Sequence, residues 1–241
     1  MRILVVDDDA VSRQALADLA RSAGGRAPVE AADGRAAWAR LDAGETVGLV
    51  LSDIRMPHLN GFELVARLRG DRRFEHLPVM LVSTANDRAT VENAAQAGVQ
   101  GYLLKPVTQG AVQRVRQVLA RFRESLVERD AQALVRLGLD ESRLDECIAA
   151  LASQGLALAD KLAAALKAEQ DALFRELLST VQTQRAVALR LGARRLGPVL
   201  GWIERCLKGF TVAERAELAQ ALASFRLHLY WLQHAGKLFP G

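Results

Sequence analysis

Cysteine, histidine and aromatic residues are scarce in this chain: 2 cysteines, 4 histidines, and 5% Phe, Trp and Tyr among 241 residues. Cys147 and Cys206 form no Cys-x-x-Cys pair and have no clustered histidines, so they are read as packed core residues in a reducing compartment. No stretch approaches a membrane span. The apolar run 3–6 is too short for a signal peptide before it meets Asp7, Asp8 and Asp9, so the chain is expected in the cytoplasm, with no membrane partner. There is no Pro/Ser-rich linker, internal repeat or low-complexity segment. Charge is nearly balanced as well. The net +4 divides into 15 Lys/Arg against 14 Asp/Glu in residues 1–120 and 17 against 14 beyond. Nucleic acid is therefore not the expected partner, although a pI near 9.4 leaves it open.

What the chain does have is hydrophobic residues, at 50%, arranged with two different periodicities. Up to about residue 120, short apolar runs at 3–6, 47–51, 79–82 and 102–104, with a weaker one at 27–31, alternate with helical patterns. These patterns lie near 12–22, 34–43, 61–69 and 87–97, and a fifth begins near Thr108. Five such units predict an α/β fold, a doubly wound five-stranded parallel sheet with helices on both faces. After 120 the strands stop. Leu144, Ile148, Leu151, Leu158 and Leu162 make one helical stripe, and Phe174, Leu177, Val181, Ala188 and Leu191 a second. Val199, Ile203 and Leu207 make a third, and Leu218, Leu222, Phe225, Leu229 and Leu232 a fourth. An all-α bundle follows from them. Gly192 and Gly197-Pro198 break its middle, and Thr211-x-x-Glu214 is a capping box opening the last helix. The expected division is 1–122, a helical connection 123–135, and a bundle 136–241. Residues 108–135 could also form one long helix.

Asp7, Asp8 and Asp9 follow one strand and Asp53 another. In a doubly wound sheet, ligands bind beyond the carboxyl ends of the strands, at the switch point. Carboxylates gathered there repel one another unless a cation intervenes, and a hard divalent ion, Mg²⁺, suits oxygen ligands. Ser83 ends the fourth run, where its hydroxyl can meet a phosphoryl oxygen. Lys105 follows the fifth and can pair with the same group. Pro106 points to a rigid loop, with a cis peptide one form of it, and Tyr102 stands where a ring could shift with that loop.

These residues, together with Asp53-Ile54-Arg55-Met56-Pro57, Asn60-Gly61-Phe62-Glu63 and Tyr102-x-x-Lys105-Pro106, resemble the receiver domain of two-component response regulators over about residues 1–122. The resemblance implies the flavodoxin-like strand order 2-1-3-4-5. It implies phosphorylation of Asp53 by a histidine kinase or phosphotransfer protein. It also implies Mg²⁺ held directly by Asp8, Asp53 and the Arg55 main-chain carbonyl, with Asp7 acting through water. Ser83, Lys105 and Tyr102 would be the switch residues. Thr84 departs from the family's usual Ala or Gly and should narrow access to the phosphate. Asp9 is read as a neighbour of the pair. A homodimer through the face of the fourth helix, fifth strand and fifth helix is open, and the whole chain is not expected to be an enzyme.

The bundle resembles a histidine phosphotransfer domain that lacks its histidine. Counted from the start of the helix containing 174–181, Ser179 takes the histidine position; counted back from Gly192, Gln182 does. His228 is read as a satisfied structural residue and His234 as solvated. Arg185, Arg190, Arg194 and Arg195 form a basic cluster, either a solvated face or a contact for an acidic partner or phosphate backbone. The expected output is binding of an unidentified protein. A DNA-binding output, or a receiver-directed phosphatase or phosphotransfer activity using an amide such as Gln182 or Gln184, are the alternatives.

Overall fold

The computed structural model describes residues 1–84, 88–209 and 211–235. Two compact units emerge, Met1–Phe122 and a second beginning at Arg123.

The first unit is a parallel sheet of β1 (Ile3–Val6), β2 (Val29–Ala31), β3 (Leu49–Asp53), β4 (Val79–Ser83) and β5 (Gly101–Leu104), in the order 2-1-3-4-5. β1, β3 and β4 are buried along their whole length, as continuous apolar strands covered on both faces must be. The helices α1 (Ala10–Ser22), α2 (Gly34–Asp42), α3 (Gly61–Gly70), α4 (Arg88–Gln96) and α5 (Gln109–Leu126) alternate with them. Their starts are chemically marked. Asp9 caps α1 by accepting from the Ser12 amide, Asp33 caps α2, and Asn60 and Glu63 form a reciprocal capping box on α3. Asp9 is thus more than a neighbour of the acidic pair. β2 is shorter than its apolar run because Ala27 has φ +41, outside the extended region. β3 is displaced by two residues from the run 47–51, so Asp53 is its last residue rather than a loop residue. Residue 87 of the expected fourth helix lies outside the described residues.

The second unit holds α6 (Ala131–Leu137), α7 (Glu141–Lys167), α8 (Asp171–Arg190), α9 (Leu196–Gly209) and α10 (Val212–Ala235). Residues 108–135 are therefore two helices, not one. All four apolar stripes are buried. α7 packs on α8, α8 on α9, α9 on α10, and α10 returns to α7, which closes a four-helix core around Phe174, Phe225, Leu229 and Trp231. The Thr211–Glu214 capping box is present, with both reciprocal hydrogen bonds formed. Gly197 and Pro198 lie in the first turn of α9 rather than breaking a helix, because a proline early in a helix forfeits no internal bond. By length and composition, α7 could cross a membrane, contrary to the expectation that no stretch would qualify. Its stripe from Leu144 to Leu162 instead faces the bundle core. Residues 236–241 of the expected bundle lie outside the described residues.

His228 is buried, with Nδ1 2.8 Å from the Ser224 carbonyl oxygen and its ring edge-on to Trp231. His234 is half-buried rather than solvated, because it stacks on Tyr230 with ring centroids 4.2 Å apart. The basic cluster is largely engaged within the unit: Arg185 binds Glu204, Arg194 binds Glu128, and Arg195 binds the Ser125 hydroxyl. Cys206 is buried and Cys147 half-buried, both as free thiols.

Gly61 connects this architecture to chemistry. A Cβ at that position would stand 2.3 Å from the Asp53 carbonyl oxygen, so only glycine lets α3 start against the end of β3. Gly61→Ala should destabilise the first unit by about 1–3 kcal/mol, as overpacking does. Urea titration would measure this, and an unchanged midpoint would show that the loop yields freely.

Candidate functional site

Sheet register creates the site. Val6 pairs with Ser52 and Asp53 with Val82, while Ser83 pairs with Leu104. One step beyond, Asp7 and Asp53 come level on adjacent strands. The ladder continues past the strand ends through the Lys105 amide, which donates to the Ser83 carbonyl at 2.8 Å. This brings the side chains of Asp7, Asp53, Ser83 and Lys105 to one edge.

Lys105 Nζ lies 2.7 Å from Asp7 Oδ2 and 2.7 Å from Asp53 Oδ1. Asp7 is fully buried and Asp53 nearly so. Burial pushes the Asp7 carboxyl above its ordinary pKa; Lys105 opposes that and the Asp53 charge adds to it. Burial works against the Lys105 ammonium, but its bonds to Asp53 and Asp7 outweigh it and raise the lysine pKa. The Lys105–Pro106 peptide is cis. Asp53 Oδ2 accepts from the Arg55 amide at 2.7 Å, and Asp7 Oδ1 from the Asp9 amide at 3.1 Å. Ser83 is buried, and Tyr102 half-buried on β5.

Asp8 is exposed and, among the described residues, forms no hydrogen bond or ion pair with this cluster. Nor do the described residues gather three His, Cys, Asp or Glu side chains closely enough to hold a metal. The two converging carboxylates and the Arg55 carbonyl are nevertheless all oxygen donors, the set that a hard divalent cation selects. The site chemistry fits Mg²⁺, with Lys105 carrying the balancing charge between the carboxylates in this structure.

Sequence reasoning missed three features. The Arg55 guanidinium donates to Thr84 Oγ1 at 2.8 Å, joining the loops after β3 and β4 beside Asp53. Arg13 donates to the Asp7 carbonyl at 2.7 Å, and its position one helical turn after the cap could have suggested this. A cavity of about 390 Å³ lies beside Lys105, lined by Val11, Ala15, Leu16, Thr84 and Val107 among others. In the bundle, Ser179 and Gln182 are both exposed on α8. Ser179 Oγ bonds back to the Glu176 carbonyl, whereas the Gln182 amide reaches Glu204 on α9.

Residues 3–116 match the family model of the response regulator receiver domain. The chain is 36% identical over 108 residues to the chemotaxis protein CheY1 of Helicobacter pylori, covering 45% of this chain and 87% of that protein. It is 41% identical over 108 residues to the chemotaxis protein CheY of Pseudomonas aeruginosa, covering 45% and 86%. Among solved structures, a response regulator receiver protein from Pseudomonas putida is 32% identical with a TM-score of 0.44, covering 48% of this chain and 95% of its own. The receiver domain of a Pseudomonas aeruginosa sensor histidine kinase, described with a magnesium ion coordinated in its active-site cleft, is 29% identical with a TM-score of 0.42, covering 48% and 93%.

The raised Asp7 pKa has a definite sign. A carboxyl more basic folded than unfolded adds stability below its unfolded pKa and loses that contribution as pH rises through the folded value. Without Mg²⁺, Asp7→Asn should therefore stabilise the first unit at pH 7, and the gain should vanish on acidification below the ordinary aspartate range. Urea midpoints across pH, with and without MgCl₂, test this. A destabilised variant at pH 7 would show that the Lys105 bond outweighs burial.

Proposed function

We propose, for a chain that belongs to the response regulator receiver family through residues 3–116, that Asp53 accepts a phosphoryl group from a histidine kinase or phosphotransfer protein. The observation that carries this reading is the Asp7–Lys105–Asp53 bridge, with both distances at 2.7 Å. It leaves a nucleophilic carboxylate in a nearly dry site beside a cation that can follow incoming negative charge.

Mg²⁺, when bound, would be held by Asp7, Asp8, Asp53 and the Arg55 carbonyl, and would supply charge against the phosphoryl oxygens. The chain's own residues do the rest. The Arg55 amide fixes one Asp53 oxygen, which orients the other for attack. Lys105 exchanges a carboxylate for a phosphoryl oxygen, and the Ser83 hydroxyl donates to another. Tyr102 follows that shift and changes the face made by α4, β5 and α5.

The helices after Arg123 serve as the output, a degenerate phosphotransfer-like bundle that binds a protein and takes no phosphate itself. Ser179 or Gln182 stands where an accepting imidazole would be. The apolar side of α10, with Phe225, Leu229 and Trp231 buried, suits packing better than reading a DNA groove. The protein is read as cytoplasmic.

Incubation with Mg²⁺ and a small acyl-phosphate donor should label wild-type protein with a base-labile phosphate and leave Asp53→Asn unlabelled. Label retained by the variant would move the phosphosite elsewhere. Thr84→Ala should shorten the acyl phosphate's lifetime by roughly threefold, about 0.7 kcal/mol of barrier, because it opens the Arg55–Thr84 bridge and removes bulk at the cleft. Equal decay in both proteins would dismiss the shielding role.

A further inference from the structure

The seam between α8 and α9 holds a polar cluster that helix packing does not require. Glu204 is only 8% exposed, on a helix otherwise buried mostly through apolar residues. Its carboxylate collects three donors: Lys208 Nζ at 2.8 Å, Arg185 Nη1 at 2.8 Å and Gln182 Nε2 at 3.1 Å. Lys208, Gln182 and Arg185 together pull its pKa down to about 2, so it is an anion at neutral pH. Gly201, one turn earlier, leaves room for Arg185; a Cβ there would lie 3.3 Å from the guanidinium carbon.

Buried ion clusters are generally no more stabilising than apolar side chains of the same volume. A leucine at 204 would join α8 to α9 about as well. What a carboxylate does that leucine cannot is orient an amide. It only accepts hydrogen bonds, so it must face the NH₂ end of Gln182, and this turns the carbonyl oxygen away from it. Gln182 is exposed, and the side chains of Arg185 and Lys208 beside it are 44% and 55% exposed. The seam therefore offers partners a fixed acceptor next to two cations. Gln184 offers nothing comparable, because it is buried and donates to Gln154 at 3.0 Å.

An acceptor that can hold one water, with cations for an anion, is the equipment for hydrolysing a phosphoryl group that another protein already activates. We propose that Gln182, positioned by Glu204 and flanked by Arg185 and Lys208, forms a phosphatase site for the aspartyl phosphate of a receiver, its substrate here being the receiver of a second copy of this chain. This rests on the reading that Asp53 carries phosphate. Gln182 Oε1 accepts a hydrogen bond from water and aims the water oxygen at phosphorus, opposite the aspartyl oxygen. The new O–P bond forms as the P–O bond to Asp53 breaks. The electron pair of that bond returns to the Asp53 carboxylate, and both protons of the water leave with the released dihydrogen phosphate. Arg185 and Lys208 meet the phosphoryl oxygens, the anion for which the seam holds its two cations.

The test uses full-length protein throughout. Chain carrying Gln182→Ala is labelled on Asp53, freed of donor, and mixed with increasing unlabelled Asp53→Asn chain. Phosphate release should accelerate by about tenfold or more at saturation, and should stay at the unassisted rate when the added chain also carries Gln182→Ala. Glu204→Gln in the added chain should lower the saturating rate without moving the half-saturating concentration. Arg185→Ala should raise that concentration. Equal rates with and without Gln182 in added chains of matching circular dichroism would overturn the proposal. Failure to label Asp53 at all would overturn the phosphoacceptor reading along with it, whereas a stable label indifferent to Gln182 removes only the phosphatase.

Discussion

Two carboxylates, one fully buried and one nearly so, share the end of a parallel sheet, and that arrangement requires a cation. In this structure Lys105 supplies it. The requirement reaches outward through the whole first unit. Lys105 must arrive at the end of β5, which demands that β5 pair beside β4 in register. Asp7 and Asp53 must sit on neighbouring strands, which demands the order 2-1-3-4-5 and not the order of the sequence. A cation held by carboxylates can also be drawn away by another anion. On the reading proposed above, the same contact is a structural tie and a movable part.

That movability depends on an imbalance. Asp7 is strained toward neutrality by burial, while Lys105 is held more firmly charged than an exposed lysine. Burial thus works against the charged carboxylate on the Asp7 side of the bridge, while the carboxylates favour the charged lysine on the other. Anything that brings positive charge to Asp7, or negative charge to Lys105, relieves one side of it. A divalent ion does the first and a phosphoryl group the second, so the two are expected to favour each other's arrival.

Much of this was legible in the sequence. Strand ends carrying Asp7, Asp53, Ser83 and Lys105 follow from apolar runs bounded by polar residues, and parallel topology follows from βα alternation. The four bundle helices were equally legible, since every stripe residue from Leu144 to Leu232 proved buried. What could not be read is where long side chains go. Asp8 and Asp7 are adjacent and alike in sequence, yet where the chain leaves β1 Asp7 is buried and Asp8 exposed. The Arg55–Thr84 bond joins residues from separate loops, and neither local pattern nor propensity encodes it. His234, taken for a solvated terminal residue, stacks on Tyr230 one turn before it, a pairing that i, i+4 spacing permits but does not dictate.

Glu204 shows the same limit in the other half. In sequence, Glu204 and Lys208 are four apart and read as an ordinary surface pair worth a few tenths of a kcal/mol. Packing places that glutamate beneath α8 instead, where Arg185 and Gln182 must come to it, because an unmet carboxylate there would be costly. A buried charge thus fixes the rotamers of three partly or fully exposed side chains. Surface residues ordinarily hold several conformations, and a partner must order them on binding at a cost of about 0.5–1.5 kcal/mol each. Here the fold has ordered them in advance. Preorganisation of exposed polar groups by a buried one does nothing for an isolated bundle, and it lowers the cost of every encounter with a partner whose charges match.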